Sequence, residues 1–277
     1  MSVFDPTICT LGEGPLWHPE RQSLFWFDIV NMRLYGEGRV HQFEECVSAA
    51  GWLDHDSLFI ASETQLFTYH LETGAQKHVA PLEADNAVTR SNDGRADPFG
   101  GFWIGSMGKD MEKGAGAIHR YYRGTVETLY RDLTVSNAIC FSPDRRFAHF
   151  TDTHTRQVMR VALDAEGWPK AAPEVFIDTQ TDGFFPDGAV IDAQGCLWVA
   201  HWGRSRVARY DTEGGFMGAV SIPARQASCP AFGGTDLDQL YVTSATMGMG
   251  DRAGPDDGKT FVIQTQAKGQ REHRVIL

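Results

Sequence analysis

A short apolar run of strand type occurs six times along the chain. The copies are anchored on Leu24, Leu58, Phe102, Phe147, Leu197 and Leu240, at steps of 34, 44, 45, 50 and 43 residues. Partner runs rich in Val, Ile, Tyr and Phe follow, and they usually end at a glycine turn. This composition predicts strands, and the period is typical of propeller blades rather than of helical repeats.

One unit of this kind exposes two sheet faces, so the units have to stack to bury them. Closing six units into a ring also removes the exposed sheet edges. Units of this length account for nearly all of the 277 residues. We therefore predict an all-β fold, a six-bladed β-propeller, in one domain spanning residues 1–277. The unit length disfavours an open β-solenoid, and the absence of a linker disfavours two β-sandwiches.

Composition restricts the partners and the compartment. A formal charge of −11 and a pI near 5.3 disfavour nucleic acid and anionic membrane surfaces, because both require a basic surface. The N-terminal segment lacks the pattern of a signal peptide, and no apolar run approaches the length of a membrane span. We expect a soluble, cytoplasmic protein. The five cysteines are scattered and never form a CxxC pair, so no disulfide framework or thiolate zinc site is indicated.

Four polar residues occupy similar positions in the repeat. Asn92, Asn137 and Asp187 each lie 10 residues before their anchor, and Glu13 lies 11 before Leu24. Residues that open the innermost strands of several blades converge on one mouth of the channel. Taken singly, Asn-Asp-Gly and Pro-Asp-Gly are ordinary turn signals. Together, two carboxylates and two carboxamides in one mouth indicate a site for a divalent cation such as Ca²⁺, Mg²⁺ or Mn²⁺.

Several motifs in order resemble those of the SMP-30/gluconolactonase/regucalcin family, and most closely those of its bacterial sugar lactonases. They read LGEGPLWHP, RSNDGRADPFGGFWIGSMG, SNAICFSPD, FPDGAVIDAQGCLWVAHWG and CPAFGGTDLDQLYVTSA, between Leu11 and about Ala245. The resemblance implies a six-bladed propeller that binds one divalent metal ion through Glu13, Asn137 and Asp187. The metal is Ca²⁺, Zn²⁺, Mn²⁺, Mg²⁺ or Fe²⁺, and the resemblance does not choose among them.

The same resemblance places Arg90 and Asn92 on the substrate, together with an acidic residue after the GSMG segment. Ungapped counting assigns that contact to Asp110, with Glu112 as the alternative. The implied activity is metal-dependent hydrolysis of a sugar lactone, gluconolactonase-like, to the aldonic acid in carbohydrate metabolism. A cation with open positions stabilises the negative charge that develops on the lactone carbonyl oxygen.

Two questions about the chemistry stay open from the sequence. Asp187 would deprotonate the attacking water, or it would only position water that the cation activates, since a carboxylate on a metal is a poor base. Other functions also remain: a non-catalytic calcium-binding propeller like regucalcin, or another propeller hydrolase such as a phosphotriesterase. Arg90 and Asn92 disfavour pure ion binding, because calcium storage does not require residues that contact a sugar.

Overall fold

Six antiparallel sheets of four strands surround a central channel in the computed structural model, which describes residues 1–277. The strands in chain order are β1 Ser2–Asp5, β2 Gly12–His18, β3 Ser23–Asp28, β4 Arg33–Gly36, β5 Arg39–Gln42, β6 Val47–Asp54, β7 Ser57–Ser62, β8 Gln65–His70, β9 Gln76–Pro81, β10 Thr89–Ala96, β11 Phe102–Gly108, β12 Gly116–Tyr122, β13 Thr125–Leu133, β14 Ser136–Phe141, β15 Phe147–Asp152, β16 Gln157–Ala162, β17 Glu174–Asp178, β18 Phe185–Ile191, β19 Leu197–Trp202, β20 Arg206–Tyr210, β21 Phe216–Ser221, β22 Gln226–Gly233, β23 Gln239–Ala245 and β24 Thr260–Gln264. The only helix is a short 3-10 turn, Gly250–Arg252, and no helix has the length and apolar character needed to cross a bilayer. The predicted all-β six-bladed β-propeller is confirmed.

Five blades take consecutive strands, and the sixth joins the two ends of the chain. Strands β2 to β5, β6 to β9, β10 to β13, β14 to β17 and β18 to β21 form the first to fifth blades. The sixth blade has the order β22, β23, β24, β1, and Ser2 of β1 pairs with Val262 of β24. The ring is therefore closed by backbone hydrogen bonds between the N-terminal strand and the last strand. The repeated apolar runs of the sequence are the second strands of the blades.

The core lies between the blades, and burial decreases from the channel outward. Every residue of the innermost strand β14 is buried, whereas the outermost strand β21 contains only exposed and half-buried residues. Between the first two blades, Phe25 and Leu34 pack in one cluster with Leu58 and Phe67. Each fully buried side chain of this kind contributes about 1.5–3 kcal/mol. The inward-facing ends of the strands are thus held by rigid, packed sheets.

The C-terminal segment, residues 265–277, crosses the channel end at which the innermost strands finish. The Gln270 amide donates to the carbonyl oxygens of Phe141 and Ile191, at 3.1 and 3.0 Å. The Trp52 indole donates to the carbonyl oxygen of Glu272 at 2.9 Å. The segment leaves a cavity of only ≈ 20 Å³ beside the ends of these strands. This end of the channel is therefore sealed by the chain itself.

Candidate functional site

The opposite end of the channel, which we call the site mouth, is formed by the N-terminal halves of the innermost strands. Glu13, Asn92, Asn137 and Asp187 lie in β2, β10, β14 and β18, and their exposed fractions are 4%, 6%, 2% and 6%. Hydrogen bonds link Arg90, Asn92 and Asn137, and the charges of Glu13 and Arg90 act on the Asp187 carboxylate. The structure thus brings together the four positions that the repeat singles out.

A break in strand register orients these side chains. In each of the four strands the pairing with the second strand shifts at the site residue: between Glu13 and Leu16, Ser91 and Gly94, Asn137 and Cys140, and Pro186 and Ala189. Such bulges redirect side chains and are common beside functional sites. At Gly14 the backbone has φ +53°, and a Cβ atom there would collide with the Ser48 carbonyl oxygen. Only glycine fits beside Glu13 in this geometry.

A chain of hydrogen bonds links the proposed substrate residues to a proposed metal ligand. Arg90 Nη1 donates to Asn92 Oδ1 at 2.8 Å. Asn92 Nδ2 donates to Asn137 Oδ1 at 3.1 Å and to the Ser136 carbonyl oxygen at 2.9 Å. Arg90 is 7% exposed, and its other guanidinium nitrogens make no hydrogen bond to the protein. Those nitrogens are free to bind a ligand in the mouth.

The charges of three buried carboxylates, Glu13, Asp93 and Asp187, affect pKa values at the site mouth. Burial, followed by the charge of Asp93, raises the pKa of Glu13 to about 8. Burial, followed by the charges of Glu13 and Asp93, raises the pKa of Asp187 well above its ordinary value. The Arg90 guanidinium opposes both effects. The site mouth is therefore a place where added positive charge would lower the free energy of the folded protein.

Asp93 is the site carboxylate that the sequence analysis did not select. Its Oδ2 accepts the Ile139 amide at 2.7 Å, so the third blade holds the bulge of the fourth blade, where Ala138 has φ +57°. Burial raises the pKa of Asp93 to about 6. Its only signal in the sequence is the Asn-Asp-Gly triplet, which also describes an ordinary turn. Recognising that this turn signal lies inside a strand that lines the channel would have identified Asp93.

The donor atoms fit a hard divalent cation. Glu13, Asn137 and Asp187 offer two carboxylates and one amide oxygen, which are ligands suited to Ca²⁺, Mg²⁺ or Mn²⁺. His, Cys, Asp and Glu side chains alone form no group of three that could hold a metal ion. The amide oxygen of Asn137 would complete a set of three oxygen donors with the carboxylates of Glu13 and Asp187. The five cysteines are all free, and four of them are buried.

Asp110 and Glu112 lie on the exposed loop that follows β11. The Glu112 carboxylate accepts the Asp110 amide at 3.1 Å and so shapes the loop. The Asp110 side chain makes no hydrogen bond or ion pair with Arg90 or the other residues of the site mouth. On the same loop, Lys109 Nζ lies 2.9 Å from Glu63 Oε1. Both acidic candidates therefore lie outside the hydrogen-bond network of Arg90, Asn92 and Asn137.

Two histidines in the repeat strands, His149 and His201, have surroundings that indicate a structural role. Both ring nitrogens of His149 are buried without a hydrogen-bond partner, and the ring packs edge-on against Phe176. His201 stacks on Phe184 at 3.7 Å between ring centroids, and its Nδ1 accepts Arg206 Nε at 2.9 Å. Neither histidine hydrogen-bonds to a residue of the site mouth. These two histidines therefore give no indication of a metal site.

Comparison with known proteins supplies the family context. The model of the "SMP-30/Gluconolactonase/LRE-like region" matches residues 11–246. A Rhizobium meliloti (strain 1021) protein, provisionally named a sugar lactone lactonase, is 41% identical over 272 residues, which are 95% of this chain and 92% of that protein. Pentonolactonase XacC of Haloferax volcanii is 34% identical over 284 residues, covering 97% of this chain and 95% of that protein.

A solved structure shows the same fold over the whole chain. The crystal structure of regucalcin, a calcium-binding protein from Agrobacterium tumefaciens, superposes with a TM-score of 0.96 at 38% sequence identity. The match covers 100% of this chain and 97% of that chain. Both the sequence match and the fold therefore extend over the channel and its site mouth.

Proposed function

Because the chain belongs to the SMP-30/gluconolactonase/LRE-like family, we propose that it is a divalent-metal-dependent lactonase that opens a sugar lactone to the aldonic acid. The observation that carries this proposal is that the proposed substrate residues contact a proposed metal ligand in the site mouth. Asn92 hydrogen-bonds to Arg90 on one side and to Asn137 on the other. Groups suited to sugar hydroxyls therefore adjoin oxygen atoms suited to a cation. The names of two relatives, a sugar lactone lactonase and a pentonolactonase, agree with this class of substrate.

Glu13, Asn137 and Asp187 would hold the cation. When bound, such an ion supplies positive charge that stabilises the oxygen of a lactone carbonyl under attack. In the proposed reaction, water adds to the carbonyl carbon, the bond to the ring oxygen breaks, and the ring oxygen takes up a proton. Asp187 orients this water and accepts one of its protons, which passes to the ring oxygen. The products are the hydroxyl and carboxyl groups of the aldonic acid.

Arg90 and Asn92 would bind the sugar hydroxyls. The free guanidinium nitrogens of Arg90 are donors only, so they select hydroxyl or ring oxygens as acceptors. Because Arg90 is almost fully buried, a substrate that fails to pair with it leaves a desolvated charge unsatisfied. Discrimination between sugar stereoisomers follows from this cost.

Asp110 is the acidic substrate contact that we propose on the loop after β11. Its side chain is exposed and unengaged, whereas Glu112 already accepts a loop amide. Asp110→Asn should lower kcat/KM for a sugar lactone, and Glu112→Gln should mainly disturb the loop. Equal kinetics of Asp110→Asn and wild type would remove Asp110 from the site.

A pH-indicator assay on a panel of lactones tests the proposed function. Wild-type protein is assayed on five- and six-membered aldonolactones, on a lactone without hydroxyls and on a phosphotriester. We expect acid release from an aldonolactone that stops with a chelator and returns when a divalent ion is added. No turnover on any lactone with any divalent ion would overturn the proposal, and turnover of the phosphotriester alone would establish a different hydrolase.

A second candidate function is calcium binding without catalysis. It is favoured by the likeness to a structure described as a calcium-binding protein, regucalcin. Tight Ca²⁺ binding by titration calorimetry, together with an inactive lactone panel, would support it. The free nitrogens of Arg90 favour the lactonase, because a protein that only binds Ca²⁺ does not require a buried guanidinium group beside the ion site.

A further inference from the structure

Thr153 is not one of the proposed metal ligands, but it connects two of them, Asn137 and Asp187. This residue follows β15, and its amide donates to the Val135 carbonyl oxygen at 2.9 Å. Its hydroxyl oxygen Oγ1 accepts Asn137 Nδ2 at 2.9 Å. The same hydroxyl donates to the carbonyl oxygen of Pro186 at 2.7 Å, immediately before Asp187. One side chain of the fourth blade therefore contacts Asn137 and the backbone that presents Asp187.

The chemistry of the two ends fixes the direction of every hydrogen bond in this chain. The Arg90 guanidinium can only donate, so Asn92 must turn its Oδ1 toward Arg90. The Asn92 amide nitrogen then faces Asn137 and meets its Oδ1. At the other end, the Pro186 carbonyl oxygen can only accept, so the Thr153 hydroxyl must donate its single hydrogen to that oxygen.

The Thr153 oxygen can then only accept from Asn137. An Asn137 amide turned the other way would set its oxygen against the lone pairs of Thr153 and its nitrogen against that of Asn92. The Asn137 nitrogen therefore points to Thr153, and its oxygen points back toward Asn92 and the channel. A carboxamide coordinates a hard cation through oxygen and not through its NH₂ group. The chain of bonds thus fixes the only orientation in which Asn137 can be a ligand.

We propose that Thr153 is a positioning residue, which holds the Asn137 oxygen and the Asp187 backbone in the arrangement that binds the metal. The inference rests on the proposed function, since it assumes that Asn137 and Asp187 bind a cation. Thr153 itself has no free proton to give and touches no reacting atom. Partners that orient metal ligands typically change metal affinity by about 10- to 100-fold when they are removed.

Three substitutions and one matched control test the role. Thr153→Val removes the hydroxyl at nearly constant shape, Thr153→Ala removes it with less bulk, and Thr153→Ser keeps it. Thr155→Val is the control, because the Thr155 hydroxyl bonds only to the Asp152 carbonyl oxygen, at 2.8 Å, on the same turn. Each protein is freed of metal with a chelator, its melting temperature is measured, and Ca²⁺ and Mn²⁺ are titrated by calorimetry.

We expect Thr153→Val and Thr153→Ala to bind metal about 10- to 100-fold more weakly, with melting temperatures without metal close to that of the wild type. Thr153→Ser should restore the affinity to near the wild-type value, and Thr155→Val should match the wild type. A merely structural role would lower the melting temperature and leave the affinity of the folded protein unchanged.

Two results overturn the inference in distinguishable ways. Wild-type metal affinity in folded Thr153→Val or Thr153→Ala would remove Thr153 from the site while leaving the proposed function intact. If wild-type protein bound neither ion nor any other divalent cation, the proposed function and this inference would fall together. Thr153→Ala keeps the test decisive if the valine variant does not fold.

Discussion

Glu13 and Asp187 come from the first and fifth blades, yet after burial itself the charge of Glu13 is the largest cause that raises the pKa of Asp187. Two carboxylates this close and this buried repel each other when both are ionised. A divalent cation between them would turn the repulsion into two attractive contacts. This relationship makes Asp187 the residue at which binding and catalysis can be separated experimentally.

Asp187→Ala should lose both metal and turnover, because it removes one of the two charges that balance the cation. Asp187→Asn should keep part of the metal affinity, since an amide oxygen can still coordinate. It should nevertheless lose most of the rate, because an amide cannot accept a proton from water. Calorimetric metal titration and steady-state kinetics on a sugar lactone measure the two effects. Full turnover in metal-loaded Asp187→Asn would show that the carboxylate is not the base.

Arg90→Ala should lower kcat/KM for a sugar lactone by about ten- to a thousandfold, the range expected when a charge-assisted contact is lost in a partly closed site. Metal affinity should be nearly unchanged, because the Ser136 carbonyl oxygen still holds the Asn92 amide in the same orientation. A lactone without hydroxyls is the internal control and should be affected much less. Equal losses on both lactones, or a variant that no longer binds metal, would contradict the assignment of Arg90.

His149 should make the protein less stable in acid. Burial, followed by the charge of Arg160, lowers its pKa from 6.5 to about 3, so the folded state keeps the ring neutral while the unfolded chain takes up a proton below pH 6.5. The free energy of unfolding should therefore fall as the pH drops from 6.5 toward 3. His149→Phe should reduce this fall and raise stability at neutral pH, because it also removes two unpaired buried nitrogens.

Thermal unfolding of wild type and His149→Phe across this pH range measures the effect. The exposed His78 provides a control substitution, His78→Gln, which should leave the pH dependence unchanged. The slope should decrease without vanishing, since burial lowers the pKa of His201 and His273 as well. An identical pH dependence in His149→Phe would show that the ring titrates with the same pKa in the folded and the unfolded protein.

Glu272→Gln should destabilise the fold by about 3–5 kcal/mol, the cost of leaving a buried charge without its partner. Glu272 pairs with Arg95 at the sealed end of the channel, where their side chains are 7% and 11% exposed. Arg123 and Glu166 form the matched control pair, with side chains 71% and 60% exposed. Glu166→Gln should cost less than about 1 kcal/mol. Denaturant unfolding of both variants measures the difference, and equal costs would mean that the ion pair does not anchor the C-terminal segment.

The fold could be predicted from the sequence because each blade repeats the same buried second strand. Equivalent offsets in a radial repeat then place Glu13, Asn92, Asn137 and Asp187 at one mouth, whatever the loops do. The outermost strands escaped this reasoning, since a strand such as Arg39–Gln42 is short, polar and largely exposed. The closing strand Ser2–Asp5 escaped it as well, because its partner lies at the other end of the chain.

Details that depend on side-chain partners could not be predicted. Asp93 looks like part of a turn until the strand bulge is known, and Thr153 has no motif of its own beyond its place after β15. The position of Asp110 depends on how Glu112 caps the loop, which residue counting does not reveal. The sequence thus predicted which residues converge and not the hydrogen bonds that orient them.

Because the C-terminal segment closes one end of the channel, the channel is a pocket with a single entrance. In the proposed reaction, lactone, water and acid would all use the same entrance, and the next substrate would enter only after the acid has left. A molecule that binds at this single entrance would therefore block both the arrival of substrate and the departure of product.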